Sequence, residues 1–259
     1  MGSPRHMGRI IVFANRKGGC GKTTTAVNVA HGLAAQNSVL FIDMDAQAHA
    51  STILAVHPSP SNSTITQVLE QSIPIDRAIE NTRVENLSII RSSRDLGSYE
   101  LVAGVKEDSA MVLGEQITPL AAQYDYILID PPPTLGILMV TSLVAAREVF
   151  IPMPLHFLAM EGLAEMMQVI YRLNAGFNPD LRLAGIIPTF FNKKTKTARK
   201  IGEEIQTNFG PHMLLPGIRN NIKLAESPAF KQTIFEYAPK SIGASDYNRL
   251  VTTIKKVHV

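Results

Sequence analysis

Short, uninterrupted apolar runs recur along the chain, separated by longer segments in which apolar residues return every three or four positions. The runs are Ile10-Ile11-Val12-Phe13-Ala14, Val39-Leu40-Phe41-Ile42, Leu87-Ser88-Ile89-Ile90, Tyr126-Ile127-Leu128-Ile129, Val149-Phe150-Ile151-Pro152-Met153 and Leu183-Ala184-Gly185-Ile186-Ile187-Pro188. Runs of this length without polar alternation predict strands buried on both faces. Helical spacing appears in Ala26, Val27, Val29, Ala30, Leu33 and Ala34, a stripe that runs out near Gln36-Asn37, and again in Leu163, Met166, Met167 and Ile170 within 158–173. Strands alternating with helices predict an α/β fold: a mostly parallel twisted sheet with helices on both faces. The stretch 51–123 is the least readable, with a turn-rich Pro58-Ser59-Pro60-Ser61-Asn62-Ser63 and the strand at 87–90 flanked by helices.

At 259 residues and 45% hydrophobic content, the chain is expected to bury its core as one large domain. Residues 1–6 read as an expression-tag remnant ahead of a native start at Met7, which sets the domain at 7–259. A single cysteine excludes a framework of intrachain disulfides and a cysteine-ligated iron–sulfur cluster, and fits a reducing compartment. No signal-peptide core and no apolar run of bilayer length is present, so the expectation is a cytoplasmic protein without a membrane partner. The formal charge is only +3, yet the isoelectric point near 9.0 allows an acidic partner if the cations cluster.

The first strand runs into Asn15-Arg16-Lys17-Gly18-Gly19-Cys20-Gly21-Lys22-Thr23-Thr24-Thr25 and then a helix. Glycines at 18, 19 and 21 let the backbone curl so that N–H groups from Lys17 to Thr24 face phosphate oxygens, and the helix beginning near Lys22 adds its positive end. Lys22 would reach the terminal phosphates and the Thr23 hydroxyl would ligate Mg²⁺. Asp43 and Asp45 alternate at the carboxyl end of the second strand, where open α/β sheets place their ligands; the pair suits a metal shell and an attacking water, or a simple turn. Asp130 ends the strand at 126–130 and precedes Pro131-Pro132-Pro133, the form of a magnesium-holding aspartate followed by a stiffened loop.

Arg16 stands where the strict phosphate-loop pattern has its first glycine, and Lys17 supplies a second lysine five residues before Lys22. The string Lys-Gly-Gly-x-Gly-Lys-Thr resembles the deviant Walker A motif of the ParA/MinD ATPases. The resemblance extends through Asp43-Met44-Asp45-Ala46-Gln47, where Ala46 replaces the family's proline, and through residues 218–228, which are similar to Ile-Pro-Arg-Asn-x-x-Leu-Ser-Glu-Ala-Pro. These last residues place the chain nearer to the ParA/Soj group than to MinD. The resemblance implies ATP and Mg²⁺ as cofactors, with Lys17, Lys22 and Asp45 in catalysis. It gives Lys17 a role across an ATP-dependent homodimer and Asp45 the hydrolytic switch, and it puts Asn221 on the adenine base, with Arg219 in the place of the family's proline.

The same resemblance implies nonspecific double-stranded DNA as a partner, nucleoid association, and activation by a ParB-like or cargo-adaptor protein that positions a plasmid, chromosome or protein assembly. Lys193, Lys194, Lys196, Arg199 and Lys200 fall in one window free of acidic residues and are the first candidates for DNA, followed by Arg219 and Lys223. A MinD-like membrane switch and a metabolic P-loop enzyme are the alternative readings. The membrane switch would need an amphipathic C-terminal helix, for which 247–256 has few apolar residues to spare.

Overall fold

The computed structural model describes residues 7–56, 63–104, 107–192 and 194–257. The tag reading of 1–6, the turn-rich 58–62 and Lys193 lie outside the described residues. Among the described residues seven strands form one sheet: β1 (Arg9–Phe13), β2 (Val39–Asp43), β3 (Ile79–Asn81), β4 (Leu87–Ile90), β5 (Tyr126–Asp130), β6 (Glu148–Pro154) and β7 (Arg182–Thr189). Their order is β3-β4-β2-β5-β1-β6-β7, and only the β3–β4 pair is antiparallel.

Period-two alternation within the apolar runs splits them between two cores. On β1, Ile10 and Val12 join one core while Ile11 and Phe13 join the other; Leu40 and Ile42 part from Val39 and Phe41 on β2, and Ile127 and Ile129 from Leu128 on β5. One core is closed by the helix Lys22–Ala34, which buries Ala26, Val27, Val29, Ala30 and Leu33, and by the C-terminal helix Ile242–Ile254. The opposite face is covered by the helices Ile137–Ala145, Phe157–Gly176 and Lys196–Phe209, with Leu163, Met166, Met167 and Ile170 turned inward as their spacing predicts.

Three features of this architecture position the site. β1 lies between β5 and β6, so the loop after it opens at the middle of the sheet's carboxyl edge. Asp43 and Asp130 are register partners on β2 and β5, which sets their carboxylates side by side. The third is a tether from the far end of the chain: the Thr189 hydroxyl at the tip of β7 donates to the Cys20 carbonyl at 2.8 Å.

Candidate active site

The loop between β1 and the first helix is held from below by Asn15. This buried side chain donates from Nδ2 to the Pro152 carbonyl at 2.7 Å and accepts the Lys17 N–H on Oδ1 at 3.0 Å, so it ties the loop's entry to β6. Gly19 and Gly21 have φ of 71° and 82°, left-handed conformations that a Cβ would strain, and Gly21 is the cap of the Lys22–Ala34 helix. With no side chain capping that helix, its first N–H groups remain free to receive an anion. Cys20 is buried, and burial pushes its thiol pKa up, so its backbone rather than a thiolate serves the loop.

Behind the loop, the Lys22 ammonium donates to Asp130 Oδ1 at 2.9 Å and to the Pro131 carbonyl. Lys22 thereby bridges the phosphate loop and the proline segment after β5. Asp130 Oδ2 is buried without a hydrogen-bond partner. An acceptor left in this way fits the water shell of a divalent cation.

Asp43, placed by sequence among the metal residues, has both oxygens engaged: Oδ1 accepts the Asp45 N–H at 3.1 Å, and Oδ2 accepts the N–H and hydroxyl of Ser51 at 2.8 and 2.7 Å. It anchors the segment that carries Asp45. Burial, and then the charge of Asp130, push the Asp43 pKa up to about 7 against the downward pull of those hydrogen bonds. Asp45 itself is half-buried, accepts the Gln47 N–H at 2.9 Å, and faces the cleft.

That cleft, of about 520 Å³, is lined by residues 17–24, by Asp45 to Gln47, and by Pro132, Pro133 and Thr134. The sequence-predicted phosphate and switch residues therefore converge on one cavity. Lys17 lies at its rim, its aliphatic stem crossing Gly162 and its ammonium donating to the Leu158 carbonyl at the start of the Phe157–Gly176 helix. Glu100 also lines the cleft, packed so closely on Gly136 that any Cβ there would collide with its carboxylate. Nothing in the pattern around Glu100 marked it. Ser51 and Thr189 were likewise missed, as was the anchoring role of Asn15 within the loop stretch, because each makes its contact with another element.

Asn221 and Arg219 line a neighbouring cavity rather than the cleft. The Asn221 Oδ1 accepts the Lys223 N–H at 2.9 Å, capping the short helix Ile222–Glu226. Of the cationic candidates, Arg219 is bonded to the buried Asp246, and Lys223 pairs with Glu226 at 2.9 Å and lies over the Tyr237 ring. Lys194, Lys196, Arg199 and Lys200 are exposed at the start of the Lys196–Phe209 helix, whose first turn has no acidic residue, and none forms an ion pair among the described residues.

A protein-family profile described as an AAA domain matches residues 8–183. Over 251 residues the chain is 36% identical to the chromosome partitioning protein ParA of Myxococcus xanthus, spanning 96% of this chain and 89% of that protein. It is 35% identical over 249 residues to the chromosome-partitioning ATPase Soj of Treponema pallidum, spanning 96% and 97%. A plasmid partition protein from Borrelia burgdorferi bound to AMPPNP has the same fold with a TM-score of 0.82 at 27% identity, over 96% of this chain and 99% of that one. A Mycobacterium smegmatis structure named cobyrinic acid a,c-diamide synthase, with bound ADP and magnesium, matches with a TM-score of 0.80 at 26% identity, over 95% and 93%. With the phosphate loop, the paired strand-end aspartates and these relatives in agreement, the chain belongs to the ParA/Soj family of chromosome-partitioning ATPases.

Proposed function

We propose that this chain, a partitioning ATPase with ATP and Mg²⁺ as cofactors, dimerises on ATP, sits on nonspecific duplex DNA in that state, and is released when a cargo-bound partner stimulates hydrolysis. The observation that carries this reading is the division of its cations. Arg219 and Lys223 are each paired with a carboxylate, whereas Lys194, Lys196, Arg199 and Lys200 stand exposed and unpaired among the described residues. Lysine and arginine without interleaved aromatics suit phosphates rather than base edges. Two such patches on one dimer reinforce each other through effective concentration.

Dimerisation is supported by the rim of the cleft. Leu158, whose carbonyl accepts from the Lys17 ammonium, and its neighbour Phe157 are exposed, which puts large apolar side chains at the surface next to this lysine. Within its own loop Lys17 adds nothing that Lys22 does not supply. On this reading its ammonium swings across to the second nucleotide. The C-terminal helix argues against the membrane alternative, since Tyr247, Leu250, Val251 and Ile254 are buried in the core and, of its large apolar residues, Ile242 alone is exposed. No helix among the described residues is long and apolar enough to cross a membrane. A metabolic reading draws on the name of the Mycobacterium smegmatis neighbour, and substrate-dependent turnover without DNA retention would favour it.

Light scattering with ATP and Mg²⁺ tests the proposal. Wild type should double in mass and be retained on random duplex, while Lys17→Ala should bind ATP and stay monomeric. Equal dimer populations for the two proteins would remove the role of Lys17 across the interface, and no retention of wild type on DNA would refute the nucleoid reading.

A further inference from the structure

The helix Asp95–Ala103 presents two faces to two different cavities. Gly97 and Glu100, three residues apart, look toward the phosphate cleft, whereas Asp95, Tyr99 and Val102 recur at helical spacing on the opposite side. On the cleft side the helix touches both loops that follow the strand-end aspartates. Gly97 backs onto Ala46, next to Asp45, where a Cβ on the glycine would lie 3.8 Å from that of the alanine. The Glu100 carboxylate fills the space over Gly136, where the proline segment passes into the Ile137–Ala145 helix. Gly136 has φ of −111°, a value open to any residue, so what its missing side chain supplies is room for Glu100. The turn that leads into the helix is tied to the same region: the Ser92 N–H donates to the Ser51 hydroxyl at 3.0 Å, and that hydroxyl donates to Asp43.

On its other side the helix walls a groove of about 720 Å³. Leu69, Ala103 and Val112 line this groove and are buried, while Val102 is 63% exposed and its neighbour Leu101 80%. Glu70, Asp95 and Asp108 line it as well; all three are exposed, and none forms an ion pair among the described residues. No lysine, arginine or histidine is among the lining residues. On a chain whose formal charge is +3, this is a local concentration of uncompensated negative charge around exposed apolar side chains. Such a surface repels nucleic acid and complements a segment with an apolar stripe flanked by cations.

We propose that this groove is the docking site for a cationic amphipathic segment of a partner protein, and that the Asp95–Ala103 helix conveys its arrival to the two loops of the phosphate cleft through Gly97 and Glu100. The second half rests on the reading of the chain as an ATPase that a partner stimulates. The groove and both loops share one nine-residue helix, so a ligand that favours one setting of that helix biases both loops together. Glu100 is on this account a positioning residue, acting on the proline segment by way of Gly136. The acidic groove and the cationic start of the Lys196–Phe209 helix thereby take partners of opposite charge, and neither competes for the other's.

The probe is a fluorescein-labelled helical peptide of alanine, leucine and lysine with one apolar face, set against a peptide of the same composition scrambled to have none. By fluorescence anisotropy, wild type should bind the amphipathic peptide more tightly than the scrambled one. Combining Glu70→Gln, Asp95→Asn and Asp108→Asn should weaken that binding about tenfold, as should Leu101→Ser with Val102→Ser. All five side chains are exposed, so their loss leaves the core intact. The amphipathic peptide should also raise wild-type ATP turnover about threefold, and it should bind Glu100→Ala as tightly as wild type without raising turnover there. A merely structural role for Glu100 would not separate binding from stimulation in this way. Equal affinity for the two peptides, or equal affinity of wild type and the charge variant, overturns the docking site. Binding without stimulation of wild type, or equal stimulation of Glu100→Ala, overturns the role of the helix. Absence of any turnover in wild type overturns the ATPase reading and leaves the binding result to stand by itself.

Discussion

Asp43 shows how a single side chain at this site carries opposing demands. Three hydrogen bonds are donated to it, an arrangement suited to a carboxylate, yet it is fully buried beside Asp130, and the Lys22 ammonium is bonded to Asp130 rather than to it. The outcome is a pKa pushed up to about 7, first by burial and then by the neighbouring charge. Its unfolded value is that of an ordinary aspartate, so between that value and 7 the folded state holds a proton the unfolded state has lost, and stability contributed by this group falls as pH rises. Wild type should lose on the order of 2 kcal/mol between pH 5 and pH 8 relative to Asp43→Asn, read from urea midpoints. Parallel pH profiles for the two proteins would show that the group stays ionised throughout. The residues of the phosphate loop and the three aspartates were legible in the sequence because each sits at a fixed offset from an apolar run. Ser51, which holds Asp43, and Asp246, which holds Arg219, were not. Their partners lie 8 and 27 residues away on other elements, and no periodicity encodes such pairs.

Among the elements, the Lys196–Phe209 helix is charged against its own dipole. Lys196, Arg199 and Lys200 occupy the first turns, where the positive end lies, and Glu203 and Glu204 come only afterwards. Its packing is ordinary: Ala198, Ile201, Gly202 and Ile205 are buried, and the Thr195 side chain caps it by accepting the Ala198 N–H. Cations placed where the helix disfavours them, beside its free N–H groups, concentrate positive potential for an outside anion. Replacing Lys194, Lys196 and Lys200 by alanine should therefore abolish ATP-dependent retention on random duplex and flatten the log–log salt slope, which a dimer making about six to ten phosphate contacts sets near −0.9 per contact. The same variant should melt no lower than wild type, and about 2 °C higher if the dipole repulsion is relieved. Retention equal to wild type would move the footprint elsewhere. The helices Lys22–Ala34 and Phe157–Gly176 were legible from their apolar spacing, and the buried strands from their uninterrupted apolar runs. Helices were expected on both sides of the strand at 87–90 but without bounds, and the structure places β3 directly before that strand; helices of four to nine residues complete too few turns to show a stripe, and a strand as short as β3 shows no run.

At the scale of the whole molecule, the chain keeps its phosphate chemistry at one edge of the sheet, and the parts that build that edge come from distant stretches of sequence. β1, which launches the phosphate loop, pairs in the sheet with β5 and β6, and the loop is tied down again by Thr189 at the end of β7. The first helix is closed over by the C-terminal helix through Tyr247, whose hydroxyl meets that of Thr25 at 3.2 Å. A ribosome delivers these pieces in order, and the phosphate loop emerges well before the strands β5 to β7 that flank and tether it. Until β5 to β7 have been synthesised, the nascent loop is a flexible glycine-rich strand end with no cradle to offer. ATP should accordingly protect stalled nascent chains from protease only when they extend well past Thr189, and chains arrested at residue 125 should be digested equally with and without it. A product terminated before β7 should therefore hold no nucleotide and withdraw none from chains that have completed the sheet.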